Sequence, residues 1–336
     1  MIKSELSDNI ELLKSQPYLD FYESLPDLSK GFFNHPLFLY ECLKAFKGVD
    51  EGMVFSVFKK DKLIGFDAFR RTNITLRKVK ISCLVPAGFR ISEYNSPSID
   101  PSSFGDFFQE LSAATANDSL FYHNATGIMT EWFKRKVDGA YVYSHTPNPI
   151  IRQSEIIKEV GKKKNLVRNY KSLVKKTKVS IEHQFGKISE ETLEEFYLMH
   201  IKRWKSEGVD SKFLKSEYKD IYKSLSKLDI LPYGNLVLSH VRSDDNYLAM
   251  HIGFKIKETF LYQIPAFDLD QKNYSPGTVL LKSLFDYTAD NDMEVFDLGY
   301  GLEDYKFRYC NDVLYYYSIA RFSNPLIQNL FKINIQ

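Results

Sequence analysis

One short stretch, FDLGYGLEDYKFRYC at residues 296 to 310, gathers the residue types that move protons and hold anions. Asp297, Glu303, Tyr305, Lys306 and Arg308 follow the apolar pattern of a short strand, and Gly299 and Gly301 lie between them. A carboxylate holds an ammonium or takes a proton, a phenol donates one, and Lys or Arg neutralises a phosphate. With two glycines to turn the backbone, these side chains are the parts of a rim around a cleft at a strand end. The competing reading is that they tie the last strand to its sheet.

A second group lies just upstream. Ser275, Pro276 and Gly277 occupy N-cap, N1 and N2 of a helix whose apolar residues include Leu280, Leu281, Leu284 and Tyr287, with Thr278 next in line. Proline at N1 gives up an N–H that the helix leaves unpaired anyway, and glycine beside it removes the Cβ that blocks approach to the backbone. Free N–H groups and the positive end of the helix dipole seat an anion such as a pyrophosphate. The same three residues also serve as an ordinary helix start.

His251, in LAMHIGF, is flanked on its own strand face by the small residues Ala249 and Gly253. Histidine titrates near neutrality without help, so His251 reads as a general base or as a satisfied sheet histidine. Asp268 follows the strand that precedes the proposed anion loop. Asp297 points away from Phe296 and Leu298 and needs a partner, either an amine or an internal Lys or Arg. His200 shares the apolar face of its helix and reads as packing.

These residues need elements to place them. MVFSVFKKDKLIGFDAFRR, 53 to 71, reads as a hairpin around Lys59 to Lys62, followed by strands at KISCLVPAG and SLFYHNA with a helix over 104–114 between them. SHTPNPIIRQ, with two prolines and an asparagine, marks a boundary, giving domains 1–152 and 153–336. The second half opens with a basic helical stretch, 154 to 179, then a strand, then a helix capped by Ser189, stapled by Ile188 and Leu193, and ended by Gly208. Three strands over 235–268 turn at 243–246 and 257–258, and a helix from SPG and strands at EVFDLG and VLYYYSIARF complete the chain. Both halves share the order hairpin, strand, helix, strand, which hints at a duplicated α/β unit.

The chain of 336 residues is 44% hydrophobic and 15% aromatic, enough for two packed cores. A net charge of +2 gives no global pull toward nucleic acid or membrane, so any basic preference is local. The local candidate is the run from Lys158 to Lys178, nine Lys or Arg against one acid, which is either a solvated helix face or a site for a phosphorylated partner, including tRNA. Cys42, Cys83 and Cys310 are odd in number and widely spaced, so no metal site or disulfide framework is suggested. The absence of an apolar leader or a long apolar run points to a cytoplasmic protein with no membrane insertion. Oligomeric state is not legible.

The order strand, Phe267-Asp268, loop, YSPGTVLL, helix, FDLGYGLEDYK resembles the BioF2-like, CelD-type acetyltransferases, a GNAT-superfamily branch related to the Fem aminoacyltransferases. HIKRWKSEG at 200–208 resembles that family's helix ending in Arg-Trp, and FFNHPLFLYECLKAF, KLIGFDAFRR and SEYNSPSID are similar to its N-terminal portion. The resemblance implies an α/β fold of two tandem GNAT-like (Fem-like) units, with mixed central sheets flanked by helices. It implies an N-acyltransferase that takes an acyl group from acetyl-CoA or another acyl-CoA, as substrate, to an amine of a small acceptor, such as a nucleotide-linked amino sugar of surface polysaccharide synthesis. A Fem-like transfer from aminoacyl-tRNA and a non-catalytic binding module are the alternatives. In this frame Ser275, Pro276, Gly277, Thr278 and Lys306 meet the donor's phosphates, Tyr305 protonates the leaving thiolate, and His251, Asp268 and Asp297 supply the base and orient the amine. The usual GNAT phosphate loop, Gln/Arg-x-x-Gly-x-Gly/Ala, is replaced by NYSPGT.

Overall fold

The computed structural model describes residues 1–328 except 77, 126 and 245; the side chains of 76, 145 and 146 and residues 329–336 also lie outside the description. The chain forms two compact units, Met1–Thr146 joined by the segment from Tyr315 onward, and Pro147–Leu314.

The first unit begins with β1 (Ile2–Ser7), α1 (Gln16–Ser24) and α2 (Pro36–Ala45). β2 (Glu51–Lys59) and β3 (Lys62–Leu76) make the expected hairpin, with Lys60 and Asp61 both at positive φ, the turn that suits strand twist. β4 (Val79–Pro86) and the short β5 (Ser98–Ile99) pair with β3, and α3 (Phe104–Ala114) returns the chain to β6 (Leu120–Ala125), parallel to β4. α4 (Gly127–Lys136) leads into β7 (Tyr141–Arg152). The core is aromatic: Phe55, Phe107, Phe108, Tyr122 and Phe133 are all buried.

Inside that core Asp67 is 2% exposed, accepting hydrogen bonds from the Ala68 N–H at 2.8 Å and the Tyr122 O–H at 2.9 Å. Burial pushes its carboxyl up from 3.8 to about 7, against those two bonds. Between these pH values the folded chain holds a proton that the unfolded chain has lost, so stability from this group falls as pH rises through the window. Asp67→Asn keeps an acceptor for Ala68 and removes the charge. It is expected to flatten the decline between pH 5 and 8 and to gain on the order of 1–3 kcal/mol at pH 8. Parallel urea-stability curves for the two proteins across that range would refute this.

The second unit starts within β7. The segment read as a boundary, 144–153, is strand up to Arg152, and the prolines are accommodated because their carbonyls do the bonding: Pro149 O accepts from Leu298 N and Pro147 O from Gly301 N. The helical stretch expected over 154–179 forms two helices, α5 (Ser154–Gly161) and α6 (Lys164–Lys176), broken after Gly161. A Cβ on Gly161 would lie 2.8 Å from the Asp286 carboxylate, so the glycine permits close helix packing there. β8 (Val179–Phe185) precedes α7 (Glu190–Ser206), where the Ser189 side chain accepts from Thr192 N and Gly208, at φ 72°, follows the end.

After α8 (Ser216–Leu225) come β9 (Asn235–Ser243), β10 (Asn246–Ile256) and β11 (Thr259–Phe267), an antiparallel meander; Asp245 in its first turn lies outside the described residues. α9 (Pro276–Asp290) carries the chain to β12 (Val295–Asp297), parallel to β11, and α10 (Asp304–Tyr309) leads to β13 (Asp312–Arg321). Each unit is thus a meander, a crossover helix and a strand parallel to the meander's last: β2-β3-β4-α3-β6 and β9-β10-β11-α9-β12. This is the duplicated mixed α/β arrangement that the element order foreshadowed.

β13 does not stay with its chain neighbours. Residues 317–321 pair antiparallel with β6, and this pairing places the segment from Tyr315 onward in the first unit, where a second domain running to 336 had been expected. β7 in turn pairs with β12. In the second unit the core lies between the sheet and α5, α6 and α9, built on Val237, Phe260, Leu284, Phe285 and Phe296.

Candidate active site

The site is built where β11 and β12 part. Their parallel pairing spans only Thr259–Leu261 against Val295–Asp297, after which β11 runs on to Phe267 while the other chain leaves through Gly299 and Gly301. Where parallel strands splay, one flank of the longer strand is left to line the opening, here Tyr262, Pro265 and Phe267. The start of α9 closes one side of the opening and the 303–309 segment the other, leaving a cleft of about 370 Å³, within the usual range for small-molecule sites of ~300–1,000 Å³.

The helix start is open to that cleft. Ser275 sits in the left-handed region at φ 51°, ψ 48°, turning the chain out of the 3₁₀ segment Leu269–Tyr274, and its side chain makes no capping hydrogen bond. The N–H groups of Thr278 and Val279 both turn to Ser275 O, at 2.9 and 3.1 Å, and Pro276 has none. Among the described residues the Gly277 N–H finds no partner, and the nearest atom to a Cβ built there is a Phe267 ring carbon at 3.5 Å. Unpaired N–H, helix dipole and space coincide at one point of the cleft, which is what an anion requires.

Two cations reinforce it. Arg203 of α7 donates to Pro265 O at 3.0 Å, lies 4.7 Å over the Phe267 ring and sits 3.7 Å from Glu207. Lys272 lines the cleft from the 3₁₀ segment and is exposed. Opposite stands Tyr305. Burial, with a smaller push from Glu303 and against Arg203, raises its phenol well above the usual 10, so it stays protonated. It faces the cleft as a hydrogen-bond donor, not as a base. Glu303, 55% exposed, brings a carboxylate to the same rim.

Of the sequence candidates, Ser275, Pro276, Gly277, Thr278 and Tyr305 come together in this cleft. The others do not. His251 is fully buried beneath the cleft wall, its ring stacked 4.5 Å from that of Tyr262, and its Nε2 accepts from Gln263 N at 3.1 Å. Burial drives its pKa down to about 3, so it is neutral in the folded protein. The room expected beside Gly253 is taken by the His251 ring itself and by Leu261 O. Asp297, 2% exposed, accepts from the Asn148 amide at 3.1 Å and from Gly299 N at 2.8 Å, so it is held by internal partners below the cleft. Asp268 caps the 3₁₀ segment and pairs with Lys202 at 3.5 Å, facing a different cavity.

Lys306 is corrected too. At 5% exposed it cannot meet a phosphate in the cleft: its Nζ is held by Gly299 O at 3.2 Å, Tyr300 O at 2.8 Å and Glu303 at 3.1 Å. It braces the turn that presents Glu303. Gly301 permits that brace, being at φ 150°, with a Cβ there falling 1.9 Å from Glu303 Oε2 and 2.7 Å from Lys306 Nζ. Gly301→Ala is expected to cost about 2 kcal/mol of stability and to lower activity several-fold by displacing Glu303, measured by denaturation and initial rates. Unchanged stability would show that the turn is not braced in this way.

Arg203, Tyr262, Lys272 and Leu281 also line the cleft and were not singled out from sequence. The alternation along YQIPAF could have flagged Tyr262, whereas Arg203 was noted only as part of the Arg-Trp helix end and reaches the cleft from a helix some sixty residues away. A larger cavity of about 1120 Å³ lies on the other side of Phe267, between α7 and the turn after β9. Its lining is mostly polar, and Lys202 there is already paired with Asp268 and Asp270. Neither the open helix start nor Tyr305 faces it, so size does not decide between the two.

Residues 161–307 match the family model described as an acetyltransferase (GNAT) domain. No curated protein matches the sequence. Among solved structures, the C-terminal domain of a putative lysylphosphatidylglycerol synthetase from Agrobacterium fabrum aligns over 96% of this chain and 95% of its own, at 12% identity and TM-score 0.61. FemX aligns over 99% and 100% at 10% identity and TM-score 0.60. A tandem GNAT protein from the clavulanic acid biosynthesis pathway aligns over 97% and 99% at 8% identity and TM-score 0.54. At these identities the likeness is one of fold.

Proposed function

From a chain whose fold is that of the GNAT superfamily in its tandem, Fem-like form, we propose an N-acyltransferase that binds an acyl-CoA in the cleft between β11 and β12 and passes the acyl group to the amine of a small acceptor. The observation that carries the donor assignment is the uncapped start of α9, with Gly277 lining the cleft and its N–H without a partner among the described residues. The diphosphate sits at Gly277 and Thr278 with Arg203 and Lys272 nearby, and the thioester lies along Tyr262 toward Tyr305.

Attack by a neutral amine on the thioester carbonyl forms the C–N bond, breaks the C–S bond and leaves a proton on nitrogen and negative charge on sulfur. Tyr305 donates a hydrogen bond to that sulfur. Glu303, at the rim, takes the amine's proton through water, and solvent returns a proton to the thiolate held at Tyr305, so that the thiol leaves protonated and Glu303 gives its proton back to solvent. Side-by-side binding supplies much of the remaining rate. Nucleotide-linked amino sugars head the list of acceptors, by analogy of fold alone.

A second reading has one observation of its own. The 162–178 stretch exposes Lys162, Lys163, Lys164, Arg168, Lys171, Lys175, Lys176 and Lys178, as a tRNA-borne aminoacyl donor would use. A thermal-shift screen with CoA, acetyl-CoA, longer acyl-CoAs and deacylated tRNA separates the two, since a ligand that binds only the folded form raises the midpoint. CoA species are expected to raise it and tRNA not. Stabilisation by tRNA alone, or no thiol release from any acyl-CoA across a panel of amino sugars, amino acids and polyamines, would overturn the acyl-CoA reading.

A further inference from the structure

Between Glu159 and Glu182 the sequence contains no acid, and α6 sorts its cations to one side. Lys164, Arg168, Lys171, Lys175 and Lys178 recur at steps of four and three residues, all exposed and with no ion-pair partner found among the described residues, while Leu166 and Leu173 on the opposite side are buried in the core. A thirteen-residue helix extends this stripe over about 20 Å.

The helix that carries the stripe runs beside the cleft, which it reaches through residues next to the stripe. At its start Lys163 donates to Arg308 O and lies 5.2 Å over the Tyr309 ring, and Asn165 donates to the Tyr309 hydroxyl at 2.8 Å. Near its end Lys176 sits 4.5 Å over Tyr274. Tyr309 lines the cleft, and the segment containing it turns two apolar side chains outward: Leu302, 70% exposed, and Phe307, 41% exposed. The acids of this segment are Glu303, held by Lys306, and Asp304.

We propose that this face, the α6 stripe together with Leu302 and Phe307, docks the protein onto an anionic lipid bilayer. Charge complementarity selects an anionic surface, because the stripe meets phosphate-bearing headgroups along its full length. The apolar pair selects a bilayer over RNA: a lipid interface takes up exposed aliphatic and aromatic side chains that a phosphate backbone leaves in water. Stacking on bases has little support on the stripe, since its aromatic, Tyr170, has the Lys282 ammonium over its ring at 5.5 Å. No described helix is long and apolar enough to cross a membrane, so the contact is peripheral.

The test is co-sedimentation of the whole chain with vesicles of neutral phosphatidylcholine, or of phosphatidylcholine with 30% phosphatidylglycerol, at about 50 and 500 mM salt, the contrast over which screening acts. Binding is expected to the anionic vesicles alone, falling at least tenfold at high salt. Lys164→Glu, Arg168→Glu, Lys171→Glu and Lys175→Glu combined should remove at least tenfold, and Leu302→Ser with Phe307→Ser about threefold. All six positions are exposed, so melting midpoints should match the parent and show that both proteins fold. Failure to pellet with anionic vesicles, equal pelleting with neutral ones, or stripe variants that lose tRNA retention while keeping vesicle binding would each overturn the proposal. None bears on the donor, which the CoA-induced shift reads separately.

Discussion

Gly277→Asp is expected to abolish stabilisation by CoA and to raise the KM for acyl-CoA about 100-fold, close to 2.7 kcal/mol of lost binding. The new carboxylate would stand at the helix start that lines the cleft, next to the unpaired N–H. There it would satisfy the N–H itself and oppose a diphosphate, reversing the local field that Arg203, Lys272 and the helix dipole provide. The fold should not suffer, because a Cβ at this position meets Phe267 only at ordinary contact distance and an acid in the first turn of a helix stabilises it by about 0.3–1 kcal/mol. Gly277→Ala, which adds bulk without charge, should raise KM only a few-fold. Normal CoA binding by the Asp variant, measured by calorimetry, would remove the helix start as the donor's seat and the donor assignment with it.

How much of this was legible in the sequence follows from the range of the forces involved. Ser-Pro-Gly announced the start of α9 because proline at N1 and a small residue beside it are local preferences, and Ser189 and Gly208 bracketed α7 for the same reason. Alternation assigned the face of His251 correctly but not what covers that face: the His251 ring itself and the carbonyl of Leu261 fill the space beside Gly253, and the ring of Tyr262 stacks over the histidine. Lys306 and Arg308 looked equivalent as rim cations, yet only Lys306 folds back onto three acceptors of its own turn. The return of β13 to β6 spans nearly two hundred residues, and no local pattern encodes such a pairing. Prolines 147 and 149 suggested a break between domains because their missing donors are visible in sequence, while the acceptors they keep, used by Leu298 and Gly301, are not.

Tyr305→Phe should lower kcat by about 10²–10³ while donor KM stays within about threefold, since the hydroxyl acts on charge that develops on sulfur only as the C–S bond breaks. No hydrogen-bond partner of that hydroxyl is found among the described residues, so its removal breaks no bond that holds the fold, and the melting midpoint should hardly move. The pH dependence carries a separate signature. A phenol raised above its usual 10 keeps its proton at higher pH than a free tyrosine, so the wild-type rate should show no alkaline loss from Tyr305 up to pH 10. The rate should instead rise with pH as the acceptor ammonium gives up its proton, in both wild type and variant. A smaller loss on a substrate whose leaving thiol is more acidic would identify the hydroxyl with departure of sulfur, because such a thiolate needs less help. An equal loss on both substrates, or a loss confined to KM, would instead make Tyr305 a wall of the cleft and leave the leaving group to water.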